Sequence, residues 1–359
     1  MELIRKNIQQ VKAYVSGKPI EETKRELGLR SVIKLASNEN PIGASPKAVA
    51  AMRKAVTQVN RYPDSQSFYL KARLAAKLKL QTSNLVLGNG SDELIDIVIK
   101  TFVEDDENIV TAEQTFVEYE IISRVNNKKC VAVPLKDFTF DLDAILAAVN
   151  KKTKLIFIAN PNNPTGTYVG RAAFERFIKK LPSRTVVVLD EAYDTFIDVK
   201  DYPQGIDYIK SGKVIVLKTM SKGYGLAGLR IGYCIADSRY AAYMERTRQP
   251  FNVNLVAQAG ALAALDDDAF LAKTRMITLA GKKYFYSQLS AMGIRYIPSV
   301  TNFVLIDVQS DCVDIFKKLL KQGVIVRDMK QYKLDTFIRV SIGTPPENAK
   351  FIKALKKVL

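Results

Sequence analysis

One lysine of this sequence lies in a segment of small residues whose types suit covalent chemistry. Lys222 follows Ser221 and precedes Gly223, and Arg230 comes eight residues after the lysine, in the segment TMSKGYGLAGLR. Small neighbours let an amine approach a ligand closely, and a nearby guanidinium binds phosphate and lowers the pKa of the amine. The segment therefore indicates a lysine that acts as a nucleophile or base beside an anionic group.

The composition excludes several other chemistries. The 359 residues contain no histidine, which removes Ser-His-Asp triads, Cys-His pairs and histidine-ligated metals. Cys130, Cys234 and Cys312 lie far apart and lack the spacing of a zinc site, so we expect reduced thiols in a cytoplasmic protein and no metal. The N-terminus has no signal-peptide pattern, and the apolar runs are too short for a membrane span.

The net charge of +17 allows two interpretations. A basic nucleic-acid-binding protein would explain the charge, but the sequence has no helix-turn-helix or RRM pattern and no terminal basic tail. The lysine pairs are scattered along the chain, which is typical of a solvated surface that also attracts anionic small molecules. We therefore expect no nucleic-acid partner and no membrane partner.

The segments that must position Lys222 alternate between strand and helix patterns. The strand-like runs are apolar throughout, which is typical of a sheet covered by helices on both faces. The alternation predicts an α/β fold with a mostly parallel central sheet. The predicted strands are 85–87, 108–112, 130–134, 154–159, 185–190, 213–218 and 231–236, and the predicted helices include one that begins at Ser91 and others at 141–149 and 171–181.

The last hundred residues have a different pattern, which predicts a smaller α+β domain. Thr344, Pro345 and Glu347 have the types and spacing of a helix start with a capping box. The other predicted elements are a long helical region at 254–292 and strands at 302–308, 324–328 and 337–343, with a helix between the first two strands. We divide the chain into an N-terminal arm at 1–30, a large α/β domain at 31–253 and a small C-terminal domain at 254–359.

Several residues with suitable chemistry follow the ends of the predicted strands, where parallel sheets bind ligands. Ser91 and Asp92 begin a helix whose free amides suit a phosphate, although this turn could be only a helix start. Phe116 could stack on a flat ring or belong to the core. Asn163 lies in the rigid turn NPNNPTG, which can aim its amide. Asp190 ends an apolar strand, where a carboxylate needs a cationic partner.

One ligand accounts for this set of residues. Its phosphate would bind the amides of Ser91 and Asp92 together with Thr219, Ser221 and Arg230. Its flat ring would stack on Phe116, its protonated ring nitrogen would face Asp190, and its ring oxygen would bind Asn163 and Tyr193. Its aldehyde would form a Schiff base with Lys222. The ligand with these groups is pyridoxal 5'-phosphate, a cofactor that supports carbanion chemistry.

The chain resembles the fold-type-I pyridoxal-phosphate aminotransferases along nearly its whole length and, within them, the histidinol-phosphate aminotransferase family. The motifs that carry the resemblance are LASNENPIG (35–43), RYPD (61–64), GNGSDE (88–93), NPNNPTG (160–166), LDEAY (189–193), TMSKGYGLAGLRIGY (219–233), RQPFNVN (248–254) and RVSIGT (339–344). The resemblance implies reversible amino transfer between L-histidinol phosphate and 2-oxoglutarate, giving imidazole acetol phosphate and L-glutamate in histidine biosynthesis.

The same resemblance implies a homodimer and a set of substrate-binding residues. Tyr62 would reach the phosphate of the cofactor in the partner subunit. Arg339 would bind the substrate anion with help from Arg327 and Tyr14, although Arg339 could instead form a rim salt bridge and Tyr14 an ordinary contact of the arm. An aromatic amino-acid aminotransferase, specific for tyrosine or phenylalanine, would use the same catalytic residues with a more apolar pocket. That alternative stays open, as does a decarboxylase that recognises a phosphate.

Overall fold

The computed structural model describes residues 3–11, 13 and 17–359 of the chain. Its strands are β1 (Ile33–Lys34), β2 (Leu85–Gly88), β3 (Asn108–Ala112), β4 (Lys129–Val133), β5 (Thr153–Ala159), β6 (Val186–Asp190), β7 (Val214–Thr219), β8 (Gly232–Ile235), β9 (Tyr296–Ile297), β10 (Phe303–Asp307), β11 (Val324–Ile325), β12 (Arg327–Asp328) and β13 (Phe337–Ser341).

The α-helices of the described residues follow the same order along the chain. They are α1 (Lys6–Gln9), α2 (Ile20–Leu27), α3 (Pro46–Ala55), α4 (Phe68–Leu78), α5 (Ser91–Phe102), α6 (Glu118–Val125), α7 (Leu142–Ala148), α8 (Arg171–Lys180), α9 (Ser238–Thr247), α10 (Leu255–Leu265), α11 (Asp268–Ala291), α12 (Cys312–Lys321) and α13 (Pro345–Val358). Short 3₁₀ turns at Val56–Gln58, Thr82–Asn84, Asp194–Phe196, Gly205–Ser211, Ala227–Leu229 and Lys330–Tyr332 connect them.

A seven-stranded sheet organises the larger part of the chain. Its strand order is β2-β8-β7-β6-β5-β3-β4, and all neighbouring pairs are parallel except those that involve β8. Strands β6 and β7 lie in the middle and are buried, since their valines and leucines pack against helices on both faces. The predicted fold class, an α/β fold with a mostly parallel sheet, is confirmed.

A second core surrounds an antiparallel sheet of order β12-β13-β10-β9. Helices α11, α12 and α13 pack against this sheet through buried side chains such as Phe285, Leu319 and Phe351. Helix α13 begins as predicted: Pro345 is its first residue, and the Glu347 carboxylate accepts from the Thr344 amide at 2.7 Å. The predicted C-terminal α+β pattern is thus present in the structure.

Two predicted elements differ from the structure, each for a local reason. The predicted helical region at 254–292 is two helices, α10 and α11. They are separated at Asp266 and Asp267, and the Asp267 carboxylate caps α11 by accepting from the Phe270 amide at 3.2 Å. The predicted strand at 324–328 is divided into β11 and β12 because the two halves pair with different neighbours, β1 and β13.

The two cores are joined by segments distant in sequence. Strand β1 pairs in parallel with β11, so a segment near the N-terminus joins the C-terminal part of the fold. Helix α10 contributes Ala257, Ala261 and Ala264 to the core around the seven-stranded sheet. The division into 1–30, 31–253 and 254–359 stays a prediction.

Candidate active site

A pocket opens at the carboxyl ends of the central parallel strands, next to the second core. The residues predicted from the sequence that line it are Ser91, Asp92, Phe116, Asn163, Asp190, Tyr193, Thr219, Ser221, Lys222, Arg230, Arg327 and Arg339. Tyr62 is not among the lining residues: its side chain is 83% exposed and stacks on Phe251, with ring centroids 4.7 Å apart. Tyr14 lies outside the described residues.

Lys222 lies in a tight turn that follows β7. Its Nζ donates to the Ser37 carbonyl at 3.3 Å and lies 5.9 Å from the centroid of the Tyr193 ring. The next residue must be small, because a Cβ on Gly223 would lie 2.4 Å from Thr195 Cγ2. Burial, followed by the positive charge of Arg339, lowers the pKa of Lys222 to about 8. From the sequence we expected Arg230 to lower this pKa, but its contribution is smaller than those of burial and Arg339.

Asp190 is a buried carboxylate at the end of β6. Its Oδ2 accepts from the Tyr119 hydroxyl at 2.6 Å, and its Oδ1 accepts from the Ala192 amide at 3.0 Å. Among the described residues these neutral donors are its hydrogen-bond partners, and it forms no salt bridge there. Burial therefore raises the pKa of Asp190 to about 6. The cationic partner expected from the sequence is missing from the described protein groups, so a ligand cation would complete this site.

The end of the pocket at which the sequence predicts a phosphate combines a helix start with hydroxyl groups. No side chain of the described residues caps the N-terminus of α5, so the first amides of this 12-residue helix remain available to an anion. Thr219 Oγ1 donates to Ser221 Oγ at 2.9 Å, and Arg230 Nη2 lies 3.0 Å from Asp92 Oδ2. Gly90 has a φ of 86°, and a Cβ there would lie 2.5 Å from Arg230 Nη2. The absence of a side chain at Gly90 thus leaves room for the Arg230 guanidinium.

Arg339 is a buried guanidinium on β13. Its Nη1 donates to Asn163 Oδ1 and its Nη2 donates to the Ala36 carbonyl at 2.7 Å, while its Nε has no hydrogen-bond partner among the described residues. Arg339 also forms no salt bridge within the part of the chain that the structure describes. Arg327 lies opposite Arg339 in the β12–β13 register and donates to Gln331 Oε1 at 3.1 Å. A buried arginine paired with neutral acceptors is suited to an anionic ligand.

Tyr193 is buried beside Lys222. Its ring packs edge-on against Phe303, with centroids 5.1 Å apart, and its hydroxyl oxygen accepts from Asn38 Nδ2 at 2.9 Å. Burial raises the pKa of Tyr193, so the phenol stays protonated and can donate to a ligand oxygen. Phe116 is partly buried and contacts Tyr119 edge-on, with centroids 5.6 Å apart.

Sequence reasoning missed several residues of this pocket, and two of them, Tyr119 and Asn38, hydrogen-bond to the predicted residues Asp190 and Tyr193. Tyr119, the donor to Asp190, lies on the first turn of α6, three residues after Phe116, whose ring it contacts; this spacing could have identified it. Asn38 lies within the motif LASNENPIG, but nothing in the residue types of that motif indicates a role for this asparagine. Both side chains line the pocket.

The described residues contain neither a membrane span nor a metal cluster. None of their helices is both long and apolar enough to cross a membrane. No group of three or more histidine, cysteine, aspartate or glutamate side chains in that part of the chain is arranged to hold a metal ion.

Comparison with known proteins identifies the family. Residues 30–355 match the model of the aminotransferase class I and II family. The chain belongs to this family. A histidinol-phosphate aminotransferase of Moorella thermoacetica is 47% identical over 99% of this chain and 92% of its own length. Histidinol-phosphate aminotransferase 2 of Carboxydothermus hydrogenoformans is 44% identical over 99% of both chains. The predicted resemblance is thereby confirmed.

A solved structure agrees with the sequence relatives. Histidinol-phosphate aminotransferase from Sinorhizobium meliloti, crystallised in complex with pyridoxal-5'-phosphate, superimposes with a TM-score of 0.91 at 28% identity and covers 100% of this chain and 98% of that chain. An aspartate aminotransferase from Thermus thermophilus, 20% identical with a TM-score of 0.87, shares the fold.

Proposed function

We propose that this chain is a histidinol-phosphate aminotransferase: a pyridoxal-phosphate enzyme that transfers an amino group reversibly between L-histidinol phosphate and 2-oxoglutarate. The observation that carries the chemistry is the charge pattern of the pocket, in which Lys222, Asp190 and Arg339 face one cavity and form no salt bridge with the described protein groups. The substrate follows from relatives of that name with 41–47% identity along the whole chain.

The pocket fits pyridoxal phosphate group by group. The amides at the start of α5, with Thr219, Ser221 and Arg230, would hold the phosphate, and Asp190 would face the ring nitrogen. Asn163 Oδ1 accepts from Arg339, so its Nδ2 is available to a ring oxygen, as is the Tyr193 hydroxyl. When bound, the cofactor supplies an electron-withdrawing ring that stabilises negative charge on a substrate carbon.

Lys222 acts as the base of the reaction. Because its pKa is lowered to about 8, a substantial fraction of the amine is neutral near physiological pH and can accept a proton. With the cofactor bound, Nζ would take the proton from the amine-bearing carbon of the substrate and hold it for the return transfer. The Ser37 carbonyl, 3.3 Å from Nζ, holds the amine while it carries the proton.

Arg339 and Arg327 bind the substrate anion. L-Histidinol phosphate carries a phosphate, whereas glutamate carries two carboxylates, and a planar guanidinium can bind either group through paired hydrogen bonds. Arg339 is held in place by Asn163 and Ala36, while its buried Nε is still unpaired in the described structure. An incoming anion would satisfy this donor and neutralise the buried charge.

We also propose a cytoplasmic homodimer in which Tyr62 contributes to the site of the second subunit. In its support, several large apolar side chains near Tyr62 are exposed on the single chain: Val56, Val59, Phe68, Tyr69 and Phe251. The three cysteines are free thiols, as expected in a reducing compartment.

The substrate assignment is tested by comparing kcat/KM for L-histidinol phosphate, histidinol, phenylalanine and tyrosine. Loss of the phosphate leaves a buried guanidinium unpaired, so kcat/KM for histidinol should fall by about 10²-fold or more. Equal values with and without the phosphate would contradict the assignment, and higher values for tyrosine or phenylalanine would favour the aromatic alternative.

A further inference from the structure

Asn38 is a buried residue whose polar groups are all hydrogen-bonded. It is 1% exposed and has a φ of 54°, a left-handed conformation that asparagine tolerates better than most residues. Its amide donates to Ser341 Oγ at 2.8 Å, and its carbonyl accepts from Asn302 Nδ2 at 3.0 Å. Its side chain bonds Ser341 on one side and Tyr193 on the other. A residue in an unfavourable backbone conformation whose polar groups are all hydrogen-bonded is expected to have a specific role.

The direction of each hydrogen bond follows from the groups involved. A backbone N–H can only donate, so Ser341 Oγ accepts from the Asn38 amide, and the serine proton is left to donate to Asn38 Oδ1 at 3.0 Å. The other end of the side chain is then the NH₂ group, which can only donate, and it donates to the Tyr193 oxygen at 2.9 Å. The Tyr193 proton is therefore free to donate into the pocket.

The opposite orientation of the Asn38 amide leaves a group unsatisfied. With the amide reversed, Tyr193 would donate to Asn38 Oδ1, and its proton would no longer serve the pocket. The Ser341 hydroxyl, 3% exposed, would then lose Asn38 Oδ1, which is its acceptor in the described structure. A buried hydroxyl without an acceptor destabilises the fold, which selects the first orientation.

We propose that Ser341 and Asn38 are positioning residues that keep Tyr193 a hydrogen-bond donor toward the ring oxygen of the cofactor. We call Ser341, Asn38 and Tyr193 the donor relay. This proposal rests on the proposed function, because it needs a ligand oxygen at Tyr193. Ser341 ends β13 in the second core, and Tyr193 follows β6 in the first core, so the relay requires both parts of the fold to be in place.

The experiment is a pH titration of the visible absorbance band of the holoenzyme. In Asn38→Asp the carboxylate can only accept, so Tyr193 donates to residue 38 and the ring oxygen loses a donor. A ring oxygen that lacks its hydrogen-bond donor keeps more negative charge. A proton bound next to it on the cofactor is then held more tightly. The apparent pKa of the band should rise by about one pH unit, because the free energy of a hydrogen bond to a charged group corresponds to a pKa change of about that size.

A second variant and a matched control separate hydrogen bonding from other effects. Ser341→Ala changes no charge but frees the Asn38 amide to reverse, so its shift should have the same sign and about half the size. Asn302→Ala removes another hydrogen bond to Asn38 outside the relay, so the holoenzyme should titrate as the wild type does. The charged neighbours of Tyr193 remain in all three variants: Arg339, Asp190, Asp92 and Lys222.

Two outcomes would overturn the relay. One is a wild-type titration midpoint in both Asn38→Asp and Ser341→Ala, and the other is an equal shift in Asn302→Ala. If Asn38→Asp does not fold, Ser341→Ala against Asn302→Ala decides the question. A wild-type chain that takes up no pyridoxal phosphate would overturn the proposed function, and the relay with it, which distinguishes that failure from a failure of the relay in a loaded enzyme.

Discussion

Two clusters of buried and half-buried charges lie almost side by side in this molecule, and they are built in opposite ways. Glu191 directly follows Asp190, and Lys218 precedes Lys222 by four residues. Lys218 Nζ lies 2.7 Å from Glu191 Oε2 and also pairs with Asp194, so this cluster is balanced within the protein. Asp190 and Lys222 face the pocket, and neither forms a salt bridge within the described residues.

The pKa shifts record the same contrast. Burial acts to lower the pKa of Lys218, but the negative charges of Asp194 and Glu191 raise it above the usual lysine value. At Lys222 burial and then the positive charge of Arg339 lower the pKa to about 8, and the carboxylates of Glu39 and Asp92 offset only part of this shift. The comparison teaches that the fold pairs its buried charges except where a ligand must supply the partner.

The largest expected effect is on catalysis. Replacing Lys222 with alanine removes the proposed nucleophile and base, so kcat should fall by about 10⁴-fold or more. Steady-state kinetics with L-histidinol phosphate and 2-oxoglutarate measure this loss, and the visible absorbance of the purified protein should disappear as well. A turnover rate within about tenfold of the wild type would place the chemistry on another residue.

The next effect compares one substitution at both lysines. In the protein freed of cofactor, Lys218→Met leaves Glu191 buried without its partner and should lower the free energy of unfolding by ~3–5 kcal/mol. Lys222→Met removes a charge that burial disfavours and should raise the free energy of unfolding by ~2 kcal/mol. Urea denaturation of the two variants at neutral pH measures both changes. Stability changes of the same sign would remove the contrast between the clusters.

A third prediction concerns pH and Asp190. Its pKa rises from 3.8 to about 6 in the folded protein. The folded state therefore binds more protons than the unfolded state between these values, and this group's stabilising contribution is present at low pH and lost as the pH rises through that window. Without cofactor, the loss amounts to ~3 kcal/mol.

Asp190→Asn is the matched variant for this pH effect. The difference in unfolding free energy between the variant and the wild type should grow in favour of the variant from about pH 4 to about pH 6, and then level off. Urea denaturation at closely spaced pH values provides the measurement. A constant difference across this range would mean that Asp190 is ionised normally in the fold.

The smallest effect is expected at Tyr119, which donates to Asp190. Tyr119→Phe removes one hydrogen bond that stabilises the ionised carboxylate, so Asp190 is ionised to a smaller extent beside the cofactor ring and kcat should fall about fivefold to tenfold. The low-pH stability transition assigned to Asp190 should move to higher pH in the same variant. Unchanged values of both quantities would show that this hydrogen bond does not tune the carboxylate.

Much of this site could be predicted from the sequence because the catalytic groups follow buried strands. The carboxyl ends of parallel strands meet at one edge, so the strand pattern alone is enough to expect Asp190, Lys222 and Asn163 in one pocket. The roles proposed for these residues follow from their residue types. The contrast with Glu191 and Lys218 could not be predicted in this way. Adjacent residues of a strand point to opposite faces, and the packing of the folded chain decides which groups each face contacts.

The residues that orient this site could not be predicted in the same way. Asn38 and Tyr193 are 155 positions apart, and Asn38 and Ser341 are 303 positions apart, so no local pattern indicates that they meet. The division of the predicted strand at 324–328 likewise depends on a distant segment, because its first half pairs with β1 near the N-terminus. Long-range pairing decides such contacts, and local residue patterns carry no signal of it.

The most direct test asks which lysine of the two clusters carries the cofactor. The protein is loaded with pyridoxal phosphate, treated with borohydride to fix the cofactor to its lysine, digested and mapped by mass spectrometry. The account predicts that the added mass appears on the peptide containing Lys222, and that Lys218 remains unlabelled. Labelling of Lys218, or of neither lysine in a protein saturated with cofactor, would contradict it.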